Sequence, residues 1–381
     1  MTTTAVEQKV EDDFQPKLYL AFELSNTQWK LGFTIGHRKR PRLRTVLAGD
    51  LMALQEEVGR AKARFQLPAN TQAVSCYEAG RDGFWLYRYL TSVGIVNLIV
   101  DSASIEVSRR AKRAKTDRMD VGKLLTLLIR YHSGEEAICS VVNVPSVAAE
   151  DNRQLHRELG ALKTERTRHI NRIKGLLASQ GVRMAVGKGF LEQLETTCLW
   201  NGTPLPPGLR TRLEREHERF QLVNHHIQVL KQERKEIIRF SDQPEIEQVR
   251  QLMRLRGIGV NTAWLFVMEF FGWREFRNRR EVGALAGLVP TPYQSGDQSH
   301  EQGITKAGNR LVRAVAIEIA WAWLRYQPQS KLSLWYDKRF AHGSKRLRKI
   351  GIVALARKLL ISLWHYVEKG IPPDGALLKP I

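Results

Sequence analysis

The chain has 381 residues, 43% hydrophobic and 26% charged, which excludes intrinsic disorder and allows two or three packed domains. Its 60 Lys and Arg against 39 Asp and Glu give a formal net charge of +21, a field that favours nucleic acid as partner over an anionic membrane. No uninterrupted apolar stretch approaches the ~20 residues that span a bilayer, and Met1 to Gln8 lack the basic start and apolar core of a signal peptide, so no membrane partner and a cytoplasmic location are expected. The three cysteines, Cys76, Cys139 and Cys198, are far apart with no Cys-x-x-Cys pair, and read as ordinary buried thiols.

In chain order, Leu18 to Leu24 and Trp29 to Ile35 read as two strands joined by a Ser25-Asn26-Thr27 turn, a hairpin that carries one acid, Glu23. A short strand near Thr45 to Leu47 follows, then a helix from Leu51 to about Phe65 and a strand from Ala73 to Tyr77 that ends at Glu78. Phe84 to Val93 reads as a helix and Ile95 to Val100 as a buried strand. A helix from Val121 to Tyr131 is expected to begin just after Asp117 and Asp120. A hairpin followed by alternating strands and helices predicts an α/β domain with a mixed sheet over residues 1–145.

From about Ala148 to Ser179 and from Leu209 to Arg239 the sequence is charged and almost free of Pro and Gly. Apolar residues such as Leu155, Leu159, Leu162, Ile173 and Leu177 recur every three or four positions. This predicts a pair of long antiparallel helices, a coiled-coil arm over residues 146–245, with a turn or loop between Gly181 and Gly208. Residues 246–381 read as a compact, mostly helical domain, all-α in character beside the α/β start.

Several constellations carry chemistry. Asp117 and Asp120 stand in a cationic run that includes Arg109, Arg110, Lys112, Arg113, Lys115 and Arg118, an arrangement that draws in a polyanion and holds a divalent metal against it. With Glu23 and Glu78 they make four acids that an α/β sheet can bring to one edge, where an all-oxygen set suits Mg2+ or Mn2+ and displacement at phosphorus. Arg166, Arg168, Arg172 and Lys174 form a basic stripe on the first long helix, read either as a solvated flank or as a nucleic-acid contact. Gly257-Ile258-Gly259 resembles a helix-hairpin-helix turn, whose backbone N–H groups hold a phosphate without reading sequence. Ser295 sits in a stretch defined by Gly and Pro that reads as a loop. The segment after it supplies Lys306, Asn309, Arg310 and Arg313.

Taken together, Ala21-Phe22-Glu23-Leu24-Ser25, Tyr77-Glu78-Ala79, Ala114 to Asp120, Arg168 to Lys174, Leu255 to Ala263, Leu285 to Pro290, Gln294-Ser295-Gly296 and Gly303 to Asn309 resemble the DEDD insertion-sequence transposases of the IS110 and IS1111 group. The pieces span nearly the whole chain in the expected order. The resemblance implies an N-terminal RuvC-like (RNase H-like) domain bearing the acids and a coiled-coil arm. It also implies a C-terminal transposase domain with a nucleophilic serine. By position, Ser295 is the nucleophile that forms a phosphoserine link, and Glu23, Glu78, Asp117 and Asp120 hold Mg2+ beside it. Donor and target DNA, a structured guide RNA from the element, and a homo-oligomer (dimer or tetramer) joining the acids of one subunit to the serine of another are the implied partners, in a bacterial cytoplasmic protein found at the nucleoid when active. One departure is Glu23, which stands where the family has Asp and is longer by one methylene. The competing readings are a RuvC-like metal-dependent nuclease, in which water attacks, and a catalytically silent nucleic-acid-binding relative.

Overall fold

The computed structural model describes residues 16–36, 39–80, 83–105, 117–295 and 298–380. The chain divides into two compact units, residues 1–144 and 145–381.

The first unit is a sheet with helices on both faces. Strands β1 (Leu18–Leu24), β2 (Gln28–Thr34) and β3 (Arg42–Leu47) form an antiparallel meander, and β4 (Ala73–Glu78) and β5 (Val96–Val100) extend it in parallel. The order is β3-β2-β1-β4-β5, the mixed sheet that the sequence predicts. Side chains alternate across a strand, so β1 offers Leu18, Leu20 and Phe22 to one face and Ala21 to the other, and both faces are buried. The first face packs on α1 (Leu51–Arg64) and α2 (Trp85–Ser92) through Leu54, Ala61, Leu86 and Leu90. The second packs on α3 (Asp117–His132) through Val121, Leu124, Leu125 and Leu128, against Ala21, Val74 and Cys76. Helix α1 starts at Asp50, whose carboxylate accepts a hydrogen bond from Ala53 N at 2.9 Å and so satisfies one of the free donors of the first turn.

The second unit contains the two long helices. Helix α4 (Val147–Ala178) runs antiparallel to α6 (Pro207–Phe240): Leu159 meets Val223 and Ile227, while Ile173 and Leu177 meet Leu213 at the far end. The connection is more than a loop, because it folds a short helix α5 (Phe190–Thr196) that buries Phe190 and Leu194 against that end. Beyond it come α7 (Pro244–Met253), α8 (Val260–Phe266), α9 (Arg279–Leu285), α10 (Arg310–Tyr326), α11 (Lys331–Tyr336) and α12 (Lys345–Lys369). They share one core built around Trp264, Trp323, Leu355 and Leu359. Helix α12 has the length and apolar composition to cross a membrane, which reading the sequence as runs did not reveal. Its Ile352, Leu355, Leu359, Leu360 and Leu363 are buried in the core of this unit.

The segment expected as a loop around Ser295 is instead a β-hairpin, β6 (Pro290–Ser295) with β7 (Gln298–Ile304). Pro290 and Pro292 hide the strand in the sequence, because proline cannot donate to a ladder and is tolerated only where that donor is not needed. Cys76 and Cys139 are buried as expected, but Cys198 is exposed, lying in the connection between the long helices and outside either core.

Candidate active site

Glu23 and Glu78 are set side by side by the register of the sheet. In the parallel pair β1 and β4, Phe22 faces Tyr77, so the next residue on each strand is an acid at the carboxyl edge. Alternation puts both on the face that carries Ala21, Val74 and Cys76, which is the face α3 covers. Lys30 on β2 is the cross-strand partner of Glu23.

Helix α3 runs antiparallel to β1. His132, its last residue, meets Tyr19 near the start of β1 with ring centroids 6.2 Å apart. Val121, in the second turn, lies against Gly32, the partner of Ala21 at the middle of β1 and further toward its carboxyl end than Tyr19. The approach needs a glycine, because a Cβ at Gly32 would collide with Val121 Cγ1 and reach within 3.0 Å of Leu125 Cδ1. The first turn of α3 is thereby delivered to the carboxyl edge where Glu23 and Glu78 stand. The helix starts earlier than the sequence suggests, at Asp117, so both aspartates belong to its first turn. Acids suit a helix N-terminus electrostatically, and this explains why the helix starts with them. Asp120 is half-buried and pairs with Lys123 at 3.0 Å.

The backbone of Asp117 and Arg118 is helical, but their side chains lie outside the described residues, as do Arg109, Arg110, Lys112, Arg113 and Lys115 entirely. Among the described residues, no three Asp, Glu, His or Cys side chains are gathered as a metal-binding group.

In the second unit, Ser295 is the last residue of β6 and pairs with Gln298; its side chain lies outside the described residues. The segment after the hairpin is locked onto the residues before it. Thr305 N donates to Val289 O at 2.9 Å, Lys306 N to Gly287 O at 3.2 Å and Asn309 N to Leu285 O at 2.9 Å. Gly287, at φ +66°, has no room for a Cβ beneath Ala307 O. Lys306 adopts the left-handed region at φ 55°, uncommon for a residue with a side chain, and both it and Arg310 are exposed. Asn309 caps α10, its Oδ1 accepting from Leu311 N and Val312 N at 2.9 and 3.2 Å. Arg313 is half-buried and donates to the carbonyls of Ala286 and Ala307 at 3.3 and 3.4 Å.

Residues 249–334, which include this hairpin, match the family model described as "Transposase IS116/IS110/IS902 family". Over 376 residues the chain is 39% identical to y4rJ of Sinorhizobium fredii strain NGR234, which is named as a transposase; the match covers 95% of this chain and 94% of that one. The chain belongs to this family of insertion-sequence transposases. The transposase is also 28% identical over 245 residues to the transposase for insertion sequence element IS1328 of Yersinia enterocolitica, covering 62% of this chain and 70% of the relative. It is 26% identical over 286 residues to the transposase for insertion sequence element IS1111A of Coxiella burnetii, covering 74% of each. Its substrate is accordingly DNA.

The other basic residues of the transposase divide by what they touch. On α4, Arg168 and Lys174 are exposed, but Arg172 Nη1 donates to Glu216 of α6 at 2.7 Å. The turn between α7 and α8 has Gly259 exposed at the N-cap of α8 and Gly257 half-buried against Tyr326. Its carbonyls are occupied, Lys379 Nζ donating to Met253 O and Ile258 O at 2.7 and 2.8 Å and Gln327 Nε2 to Arg256 O at 2.9 Å. Sequence reasoning passed over Asp101, which follows Val100, the register partner of Glu78, and so joins the same carboxyl edge. An acid directly after the buried strand Ile95 to Val100 is the available signal.

Proposed function

We propose that this transposase cuts and rejoins DNA through a covalent phosphoserine intermediate. Ser295 Oγ attacks the scissile phosphorus, a P–O bond to the serine forms, and the P–O bond to the leaving nucleotide breaks, its oxygen taking up a proton. Attack on the phosphoserine by the hydroxyl of another DNA end reverses the exchange and frees Ser295. Glu23, Glu78, Asp117 and Asp120 are the residues to hold Mg2+ or Mn2+, an all-carboxylate set whose chemistry fits a hard cation. When bound there, such an ion supplies neutralisation of charge at the phosphate. A structured RNA of the element selects donor and target DNA in an oligomeric assembly, and the net charge of +21 supports a partner of that kind.

The observation that carries the reading is the meeting of Glu23, Glu78 and the start of α3 at one edge and on one face of the sheet. The mixed sheet with its leading hairpin supports a RuvC-like reading of the first unit. The test is the trapped protein–DNA adduct on a denaturing gel. Ser295→Ala is expected to abolish it, and an adduct that persists removes Ser295 from the role. A second reading, a nuclease in which water attacks, is favoured by the confinement of Glu23, Glu78, Asp117 and Asp120 to the first unit, away from the serine in sequence. It predicts hydrolysed DNA ends with no adduct in the unaltered chain.

A further inference from the structure

The second unit contains a groove of about 1300 Å3 that none of the sequence motifs anticipates. One wall carries Arg279 and Arg280 from the first turn of α9, and the other carries Lys345, Arg346 and Lys349 from the start of α12. Arg357 and Lys358 stand two turns further along the same helix, Arg357 lying across Gly283 of α9. Among the described residues that line it there is no carboxylate. The floor is apolar, with Trp335, Ile350, Val353 and Ile361, and the groove reaches Pro290 and Ile304 at the base of the β6–β7 hairpin.

The pattern along α12 is that of a surface built for an anion. Arg346, Lys349, Ile350, Val353, Arg357 and Ile361 recur every three or four residues and therefore share one face, while Ile352, Leu355, Leu359 and Leu363 face the core. Cations fill the first turn, where no acid is present, although they oppose the helix dipole there. All residues from Ser344 to Ile350 are exposed, and Ile350 keeps 51% of its surface open, so this turn is not arranged to bury apolar area. Cationic walls fit phosphates, and a helix N-terminus adds further attraction for them. An apolar floor adds nothing to a duplex, whose bases are stacked inside, but it suits the exposed faces of unpaired bases.

We infer that the groove binds an unpaired DNA strand and leads it toward the serine hairpin. The phosphates lie along the Arg and Lys walls, where Lys358 rests 4.8 Å over the Trp335 ring, and the bases meet Ile350 and Val353. Ser295 stands at the other end of β6 from Pro290, about 16 Å along the strand. The choice of DNA rests on the proposed attack of Ser295 on a DNA phosphodiester; the preference for an unpaired polyanionic strand rests on the groove alone.

The test is fluorescence anisotropy of the full chain with a short labelled unpaired DNA strand, the same sequence as RNA, and its blunt duplex, without added metal, so that binding is read apart from chemistry. Arg346→Glu with Lys349→Glu is expected to weaken binding of the unpaired DNA about tenfold or more. It should also reduce the slope of log K against log salt by about 1.4, two phosphates at about 0.7 each. Arg279→Ala with Arg280→Ala, on the opposite wall, should weaken it in the same direction and serves as a second probe if the α12 variant has a lowered melting temperature. Ile350→Asn should reduce binding of the unpaired strand about fivefold and leave the duplex unchanged. Unchanged affinity in both charge variants overturns the site, equal losses for duplex and unpaired strand in Ile350→Asn overturn the unpaired assignment, and a larger loss for RNA than for DNA overturns the DNA assignment. Ser295→Ala should bind with unchanged affinity, so loss of the adduct chemistry and loss of the groove are separate results.

Discussion

Glu216 commits one residue of the basic stripe, Arg172, to holding the fold. It is buried on α6 and accepts from His169 Nδ1 at 2.7 Å, Arg172 Nη1 at 2.7 Å and Arg219 Nη1 at 3.0 Å. Burial raises its pKa, but the bonds to His169 and Arg219 and the charge of Arg172 outweigh that and hold the carboxyl below its ordinary value. A depressed carboxylate contributes stability that is complete above the unfolded value of about 4.3 and is lost as pH falls through the lower folded value. Glu216→Gln should therefore lower the melting temperature at neutral pH and flatten its fall below about pH 4.3. An equally steep acid limb in the variant would refute the assignment. Arg172 keeps half its side chain in solvent, and Glu216 retains two other partners, so Arg172→Ala should cost about 1 kcal/mol or less. Arg168→Ala should instead leave melting unchanged and weaken nucleic-acid binding, with a smaller salt slope. Parallel melting and binding measurements on the two variants separate a structural arginine from a phosphate contact.

Among the elements, α3 decides whether the acids meet, and the contact of Val121 with Gly32 fixes its seat. Gly32→Ala is expected to push α3 off the sheet at a cost of about 1–3 kcal/mol and to lower adduct formation, because Asp117 and Asp120 start that helix. Shortening the opposing side chain in Gly32→Ala with Val121→Ala should restore activity over the single variant. Failure to recover would mean that Gly32 acts through its own strand and not through the helix. Much of this arrangement was legible in the sequence: the alternation in Leu18 to Leu24, the position of Glu78 at a strand end, and the three- and four-residue spacing of the long helices all follow from periods that a sequence displays directly. In the sequence α3 reads as starting after Asp120 because the adjacent cations blur the helix period, and β6 reads as a loop because its prolines imitate one. The groove on α9 and α12 was not legible, since its cations lie between positions 279 and 358 and converge only after folding.

At the scale of the whole molecule, the acids and the serine belong to different units, Glu23, Glu78, Asp117 and Asp120 to residues 1–144 and Ser295 to residues 145–381. Either function can be removed by a substitution that leaves the other unit intact, which makes the proposed assembly testable. If the acids of one subunit serve the serine of another, a Glu78→Gln chain and a Ser295→Ala chain, each inactive alone, should recover adduct formation when mixed. The identity of the labelled chain is the sharper readout. Only the Glu78→Gln chain keeps the nucleophile, so with the two chains made distinguishable by size, the DNA should appear on that chain and never on the Ser295→Ala partner. A mixture that stays inactive would mean that acids and serine act within one chain. DNA on the Ser295→Ala chain would exclude Ser295 as the attacking residue and shift the nucleophile elsewhere, whatever the assembly.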